Sequence, residues 1–128
     1  MRQIRILIAD HHEAVREGVR SVLVKHPGWE ICGEAANGWD AIESARSLKP
    51  DVVVLDFRMP ILSGLEAAPV IKKELPGAEI LILSLHNSEH MLPLALRAGA
   101  GDFVSKYNMQ TALVPAIEKL LASQYPLE

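Results

Sequence analysis

The sequence predicts an α/β fold, a (βα)5 doubly wound parallel sheet with helices on both faces. Three observations predict it. Five short apolar runs recur along the chain, segments with helical spacing separate them, and the third and fourth runs are nearly unbroken Val, Ile and Leu. Strands alternating with helices of about 10–15 residues imply successive right-handed βαβ crossovers. Continuous apolar strands belong in a sheet covered on both sides, which is the parallel arrangement.

The elements follow in order. IRILIA (4–9) leads into a helix on which Val15, Val19, Val22 and Leu23 share one face. WEICGEAA (29–36) ends at the turn pair Asn37-Gly38, and Ile42, Ala45 and Leu48 line the next helix. Pro50 and Asp51 introduce DVVVLD (51–56). Ser63-Gly64 opens the third helix, Leu65, Ala68, Ile71 and Leu75 face its core, and Pro76-Gly77 ends it. EILILS (79–84) precedes a helix that Ser88 would cap. DFVSK (102–106) precedes one that Asn108 would cap, with Leu113, Ile117, Leu120 and Leu121 inward. Pro69, Pro93 and Pro115 all fall beyond the first turn of these helices. An interior Pro costs ~3 kcal/mol, so those helices either start late or bend.

Bulk properties exclude several classes. The 128 residues suit one domain of roughly 100–200 residues. A hydrophobic content of 49% supports a core. With 16 acids against 13 Lys plus Arg, the net charge of −3 argues against a broad nucleic-acid-binding face. The single Cys32 argues against a disulfide scaffold and fits a reducing compartment. No apolar run approaches the ~18 residues of a membrane span, and Asp10 cuts the N-terminal run too early for a signal peptide. A cytoplasmic domain with no membrane partner is expected.

The chemistry collects at strand ends. The first strand ends in Asp10, the third in Asp56, the fourth in Ser84 and the fifth in Lys106. In an open parallel sheet these ends share one edge, where ligands bind at the reversal of strand order. Two carboxylates suit a hard cation such as Mg²⁺. An ammonium and a hydroxyl suit a phosphoryl group, and an Asp so placed can form an aspartyl-phosphate.

The residues themselves are distinctive. VVVLDFRMPILSGLE places Asp56 at a strand end, Met59-Pro60 three and four residues on, and Gly64 at plus eight. Over nearly its whole length the chain resembles the receiver domain of bacterial two-component response regulators. ILILSLHNSEH, ALRAGAGDFVSK and HEAVREGVRSVL resemble the LuxR-type, NarL-like transcriptional subgroup. The resemblance implies a flavodoxin-like sheet of strand order 2-1-3-4-5. It implies Asp56 as phosphoacceptor, Lys106 as the family's lysine, Ser84 as switch hydroxyl and Phe103 as switch aromatic. The metal ligands it implies are Asp10, Asp56 and the backbone carbonyl of Arg58. Its implied partners are a sensor histidine kinase and, on phosphorylation, a second copy of the chain. DNA would be reached only through a C-terminal helix-turn-helix domain outside residues 1–128, making this chain a truncated form. A free-standing receiver is the alternative. Such a domain is not an enzyme beyond its own phosphorylation and dephosphorylation.

One position departs from the pattern. The family usually has two adjacent acids where this chain has Asp10-His11, and the second is the direct Mg²⁺ ligand. Imidazole is a poor ligand for Mg²⁺ and a good one for later first-row metals. Asp10 and Asp56 would then hold Mg²⁺ more weakly, or His11 would bring in Mn²⁺, Zn²⁺ or a similar ion. A third outcome is a degenerate receiver-like interaction module working without phosphate. His12 is ordinary for the subgroup.

Other candidates have plainer readings. His86 and His90 lie four apart, a zinc-compatible spacing on a helix, but loop and surface roles fit them better. Trp39 is read as a packing cap, Cys32 as a small core residue, and Lys72-Lys73-Glu74 as a solvated helix end. A haloacid-dehalogenase-type phosphatase would need an acid two residues after Asp56, where Arg58 stands. A flavodoxin-like cofactor binder would need a phosphate-cradling loop after the first strand, where DHHEAVRE puts an acid. The segment MLPLALRAGA spreads Met91, Leu92, Leu94, Ala95 and Leu96 around most of a helix. Leu92 and Leu96 are therefore expected on a dimer or output face, with a broad but fully buried helix as the alternative.

Overall fold

A computed structural model describes residues 3–85 and 90–124. The elements are β1 (Ile4–Ala9), α1 (Glu13–Leu23), β2 (Trp29–Ala35), α2 (Gly38–Leu48), β3 (Val52–Asp56), α3 (Gly64–Glu74), β4 (Glu79–Ser84), α4 (Met91–Arg97), β5 (Asp102–Ser105) and α5 (Met109–Gln124). The five strands are parallel in the order β2-β1-β3-β4-β5. The (βα)5 expectation holds.

Strand alternation splits the core into two layers. Leu7, Ala9, Val53, Leu55, Ile80 and Ile82 face α2, α3 and α4. Ile6, Ile8, Val52, Val54, Leu81 and Leu83 face α1 and α5. Every residue of β3 is buried, which explains its unbroken apolar run. The edge strand β2 is largely half-buried and carries a register shift opposite Ile6 and Leu7 that leaves Cys32 without a partner in β1. Cys32 packs against the α2–α3 layer, and burial pushes its thiol up, so it is a poor nucleophile at neutral pH.

Helix boundaries correct several expectations. Pro69 and Pro115 lie inside α3 and α5, whereas α4 starts late, so that Pro93 falls in its first turn. Asn108 does not cap α5. The chain first makes a 3₁₀ turn over Lys106–Asn108, capped by the Ser105 hydroxyl accepting from the Tyr107 N–H. Ser63 and Glu66 form a reciprocal capping box on α3, and hydrogen bonding from Ser63 holds the Glu66 carboxyl below its ordinary range. Ser88 lies outside the described residues. Trp39 is 55% exposed, so it is no packing cap. Residues 72–74 end the helix in solvent as expected at Lys73 and Glu74, both exposed, with Glu74 pairing with Arg46 on the surface; only Lys72 is half-buried, its Nζ donating to the Ala78 carbonyl.

The β3–α3 loop carries a strained residue. Ile61 has φ +72° and is 80% exposed, a left-handed conformation that a β-branched side chain resists. Ile61→Asn should therefore raise stability by about 1 kcal/mol, because Asn tolerates this region. Urea unfolding checks it, and an unchanged midpoint would mean that the loop absorbs no strain.

Candidate functional site

Parallel register brings the strand ends to one edge. Ala9 pairs with Leu55, Asp56 with Leu83, and Ser84 with Ser105. Asp10 therefore emerges beside Asp56, with Ser84 next along the edge and Lys106 entering from just past β5. Lys106 belongs to the 3₁₀ turn and not to the strand. Asp10, Asp56 and Ser84 are 0%, 3% and 1% exposed.

The Lys106 ammonium joins the two acids. Its Nζ lies 2.7 Å from Asp10 Oδ2 and 3.0 Å from Asp56 Oδ1, with the side chain 7% exposed. Burying two carboxylates against one ammonium leaves an excess negative charge, tolerable only where another cation or a polar cavity answers it. Backbone amides help: the N–H of His12 donates to Asp10 Oδ1 at 2.8 Å, and that of Arg58 approaches Asp56 Oδ1 at 3.4 Å. His11 Nδ1 lies 3.2 Å from Asp56 Oδ2. A cavity of about 140 Å³ opens here, lined by His11, His12, Asp56, Phe57, Arg58, Ser84, Leu85 and Lys106. That is room enough for a phosphoryl group.

Gly64 has a steric reason to be where it is. A Cβ there would come within 2.1 Å of the Asp56 carbonyl oxygen. The first turn of α3 thus packs directly on the backbone of Asp56, and the Gly64 N–H donates to the Phe57 carbonyl.

A divalent ion fits these residues with a mixed donor set. Asp10 Oδ2 is buried and receives the ammonium as an ion pair without a well-aligned hydrogen bond, so it keeps a lone pair for a cation. Asp56 supplies a second carboxylate. The position after Asp10 offers imidazole nitrogen in place of oxygen, and Asp10, His11 and His12 cluster closely enough to share an ion. Receiver domains generally bind Mg²⁺ in an acidic pocket, and this chain has an Asp/His cluster at that place.

The remaining residues divide in two. Phe103 is half-buried, packs against the α2–α4 layer and pairs in register with Ile82, two residues before Ser84. Leu92 and Leu96, 41% and 51% exposed, sit away from the cavity on the face shared by α4, β5 and α5. Met91 and Ala95 alone of that helix are buried, so the fully buried alternative for α4 is wrong. His86 lies outside the described residues, and His90 is the residue before α4.

Arg16 was not anticipated. Its Nη1 donates to the Asp10 carbonyl at 2.7 Å while its Nε binds Glu34 at 2.9 Å, tying α1 and β2 to the acidic loop. Arg20 also pairs with Glu34. The available signal was an Arg six residues after Asp10, in the early part of α1.

Residues 6–118 match the response regulator receiver domain family. The chain is 36% identical over 116 residues to the chemotaxis protein CheY of Thermotoga maritima, covering 91% of this chain and 96% of that one. It is 32% identical to the transcriptional regulatory protein DegU of Brevibacillus brevis, covering 91% of this chain but only 49% of the regulator. The match likewise covers only 53%, 52% and 56% of three other regulators, YxjL and LnrK of Bacillus subtilis and VraR of Staphylococcus saprophyticus. Among solved structures, the signal receiver domain of the response regulator NarL of Mycobacterium tuberculosis superposes with a TM-score of 0.86 at 32% identity, covering 94% of this chain and 97% of that one. A LuxR-family two-component response regulator of an Aurantimonas species gives 0.89 at 36% identity, covering 94% and 86%.

Proposed function

This chain belongs to the response regulator receiver domain family, and we propose that it is a phosphorylation-controlled switch whose phosphoacceptor is Asp56. The observation that carries the reading is one buried ammonium shared by two buried carboxylates, with Lys106 and Asp56 lining a cavity of about 140 Å³. A carboxylate oxygen of Asp56 attacks the phosphorus of a sensor kinase's phosphohistidine. The P–N bond breaks, the imidazole leaves, and an acyl phosphate forms. Lys106 faces Asp56 from one side and pairs with charge that develops on the phosphoryl oxygens. Asp10, Asp56 and the Arg58 carbonyl, with His11, would hold a divalent ion that spreads the same charge. The Ser84 hydroxyl, at the cavity wall, moves toward the phosphoryl group, and Phe103 repacks behind it. Titration with acetyl phosphate or a beryllofluoride mimic, with and without Mg²⁺, tests the reading. A protein indifferent to both would be a phosphate-independent interaction module, the second reading, for which His11 is the evidence.

The output follows from the exposed leucines. Leu92 and Leu96 leave an apolar surface beside β5, so phosphorylation should promote homodimer contact there. Leu92→Glu or Leu96→Glu should abolish mimic-induced dimerisation measured by light scattering. If neither alters self-association, or the protein stays monomeric throughout, this face is not the dimer surface. Because the chain spans about half the length of the transcriptional regulators it matches, control of transcription would act through a DNA-binding domain beyond these residues. A cytoplasmic setting fits that role, and no described helix is long and apolar enough to cross a membrane.

His11 sets the metal response. His11→Asp restores an oxygen donor and should tighten Mg²⁺ binding by about 10-fold or more, with a smaller gain for Mn²⁺. Equal Mg²⁺ dissociation constants for the two proteins would show that position 11 does not touch the ion.

A further inference from the structure

We propose that Asp10, His11 and His12 form a three-donor site for a late first-row divalent ion, of which Zn²⁺ is the representative. The inference deepens the phosphoacceptor reading, on which it rests only for its consequence: the ion would sit at the wall of the cavity that Asp56 faces. Each of the three residues offers one ligand atom, and these atoms lie within 4.8 Å of one another. His12 Nδ1 is 3.6 Å and His11 Nδ1 is 4.0 Å from Asp10 Oδ1. Donors about 2.0–2.2 Å from a shared zinc ion lie about 3.0–3.6 Å apart, so closing a cluster whose donors lie within 4.8 Å of one another needs the imidazoles to move by up to about 1 Å. The two rings can make that movement. Their side chains are 36% and 56% exposed and their rings already lie 3.7 Å apart, whereas Asp10 is immobilised at 0% exposure.

Charge and donor chemistry agree. Asp10 and Asp56 together outweigh the single Lys106 ammonium, and both imidazoles face that surplus. Two nitrogens and one carboxylate match zinc, cobalt, nickel or copper far better than Mg²⁺, which prefers oxygen and keeps its waters. Asp56 is not one of the three donors, but its Oδ2 lies 3.2 Å from His11 Nδ1, so an ion held there would sit directly against the phosphoacceptor. His12, otherwise an exposed loop residue, acquires a role as a ligand.

Calorimetric titration of the metal-free chain with Zn²⁺ and with Mg²⁺, and Co²⁺ absorption in the visible range, tests the site without any phosphoryl donor. Zn²⁺ should bind one to one and about 100-fold or more tighter than Mg²⁺. His11→Gln and His12→Gln should each weaken Zn²⁺ by more than the 10–100-fold that loss of a mere outer-shell partner costs, and should remove the Co²⁺ ligand-field bands. His26→Gln, remote in the fold and stacked on Trp29, should change neither. Zn²⁺ binding no tighter than Mg²⁺, or unchanged in both variants, would overturn the proposal. Because no phosphorylation enters the measurement, that result would leave Asp56 standing as phosphoacceptor. Loss of acyl-phosphate labelling with zinc binding intact would do the reverse.

Discussion

Asp56→Asn should abolish acyl-phosphate labelling by acetyl phosphate and should do so without lowering stability. The amide has no anionic oxygen to attack phosphorus, so the effect on labelling is complete and not graded. The fold should survive because Asn keeps the shape and the oxygen that faces Lys106 and the Arg58 N–H. It also removes one of two buried negative charges that share a single ammonium, leaving Asp10 and Lys106 as a balanced pair. Retained labelling with a native circular dichroism spectrum would mean that the wrong carboxylate has been chosen. Asp10 would then be the next candidate.

Lys106→Met should lower stability by about 3 kcal/mol, since removing one partner of a buried ion pair leaves uncompensated charge. Here the loss is shared by two acids, both almost without solvent. Adding Asp56→Asn should recover part of it, so that the double variant is less destabilised than the sum of the single changes. Urea denaturation of the four proteins measures this coupling. Additive effects would show that Lys106 contributes through packing of its stem, and the shared-ammonium description of the site would fail. The same substitution should slow phosphoryl transfer by removing charge that meets the phosphoryl oxygens.

Where burial and periodicity dominate, the sequence was a sufficient guide. β3 and β4 are apolar on both faces because both faces are covered, and their runs predicted their bounds to within a residue. Capping residues were legible when the side chain acts locally, as at Ser63. They were misleading where another local structure competes. Asn108 is preceded by Ser105, whose hydroxyl captures the Tyr107 N–H and starts a 3₁₀ turn first. Trp39 shows the limit of composition: a large aromatic after a turn suggests packing, yet its side chain stays more than half exposed.

The site was legible at its chemical ends and obscure in its supports. Asp10, Asp56, Ser84 and Lys106 stand at strand termini, and parallel register brings such termini together whatever the loops do. The sharing of one ammonium by two acids is a distance, which no spacing in the chain encodes. Arg16 donates to a backbone carbonyl, a partner with no residue identity of its own, so its place six residues after Asp10 is the one weak signal of it. His11 could be seen as an anomaly, but its approach to Asp56 Oδ2 and the closeness of His12 needed the folded loop.

Borohydride trapping after incubation with acetyl phosphate and a divalent ion tests the central claim most directly, because it reduces an acyl phosphate to an alcohol at the residue that carried it. Peptide mapping should then find homoserine at position 56 and an unmodified Asp10. Homoserine at position 10, or at no aspartate at all under conditions that label another receiver domain, would contradict the account.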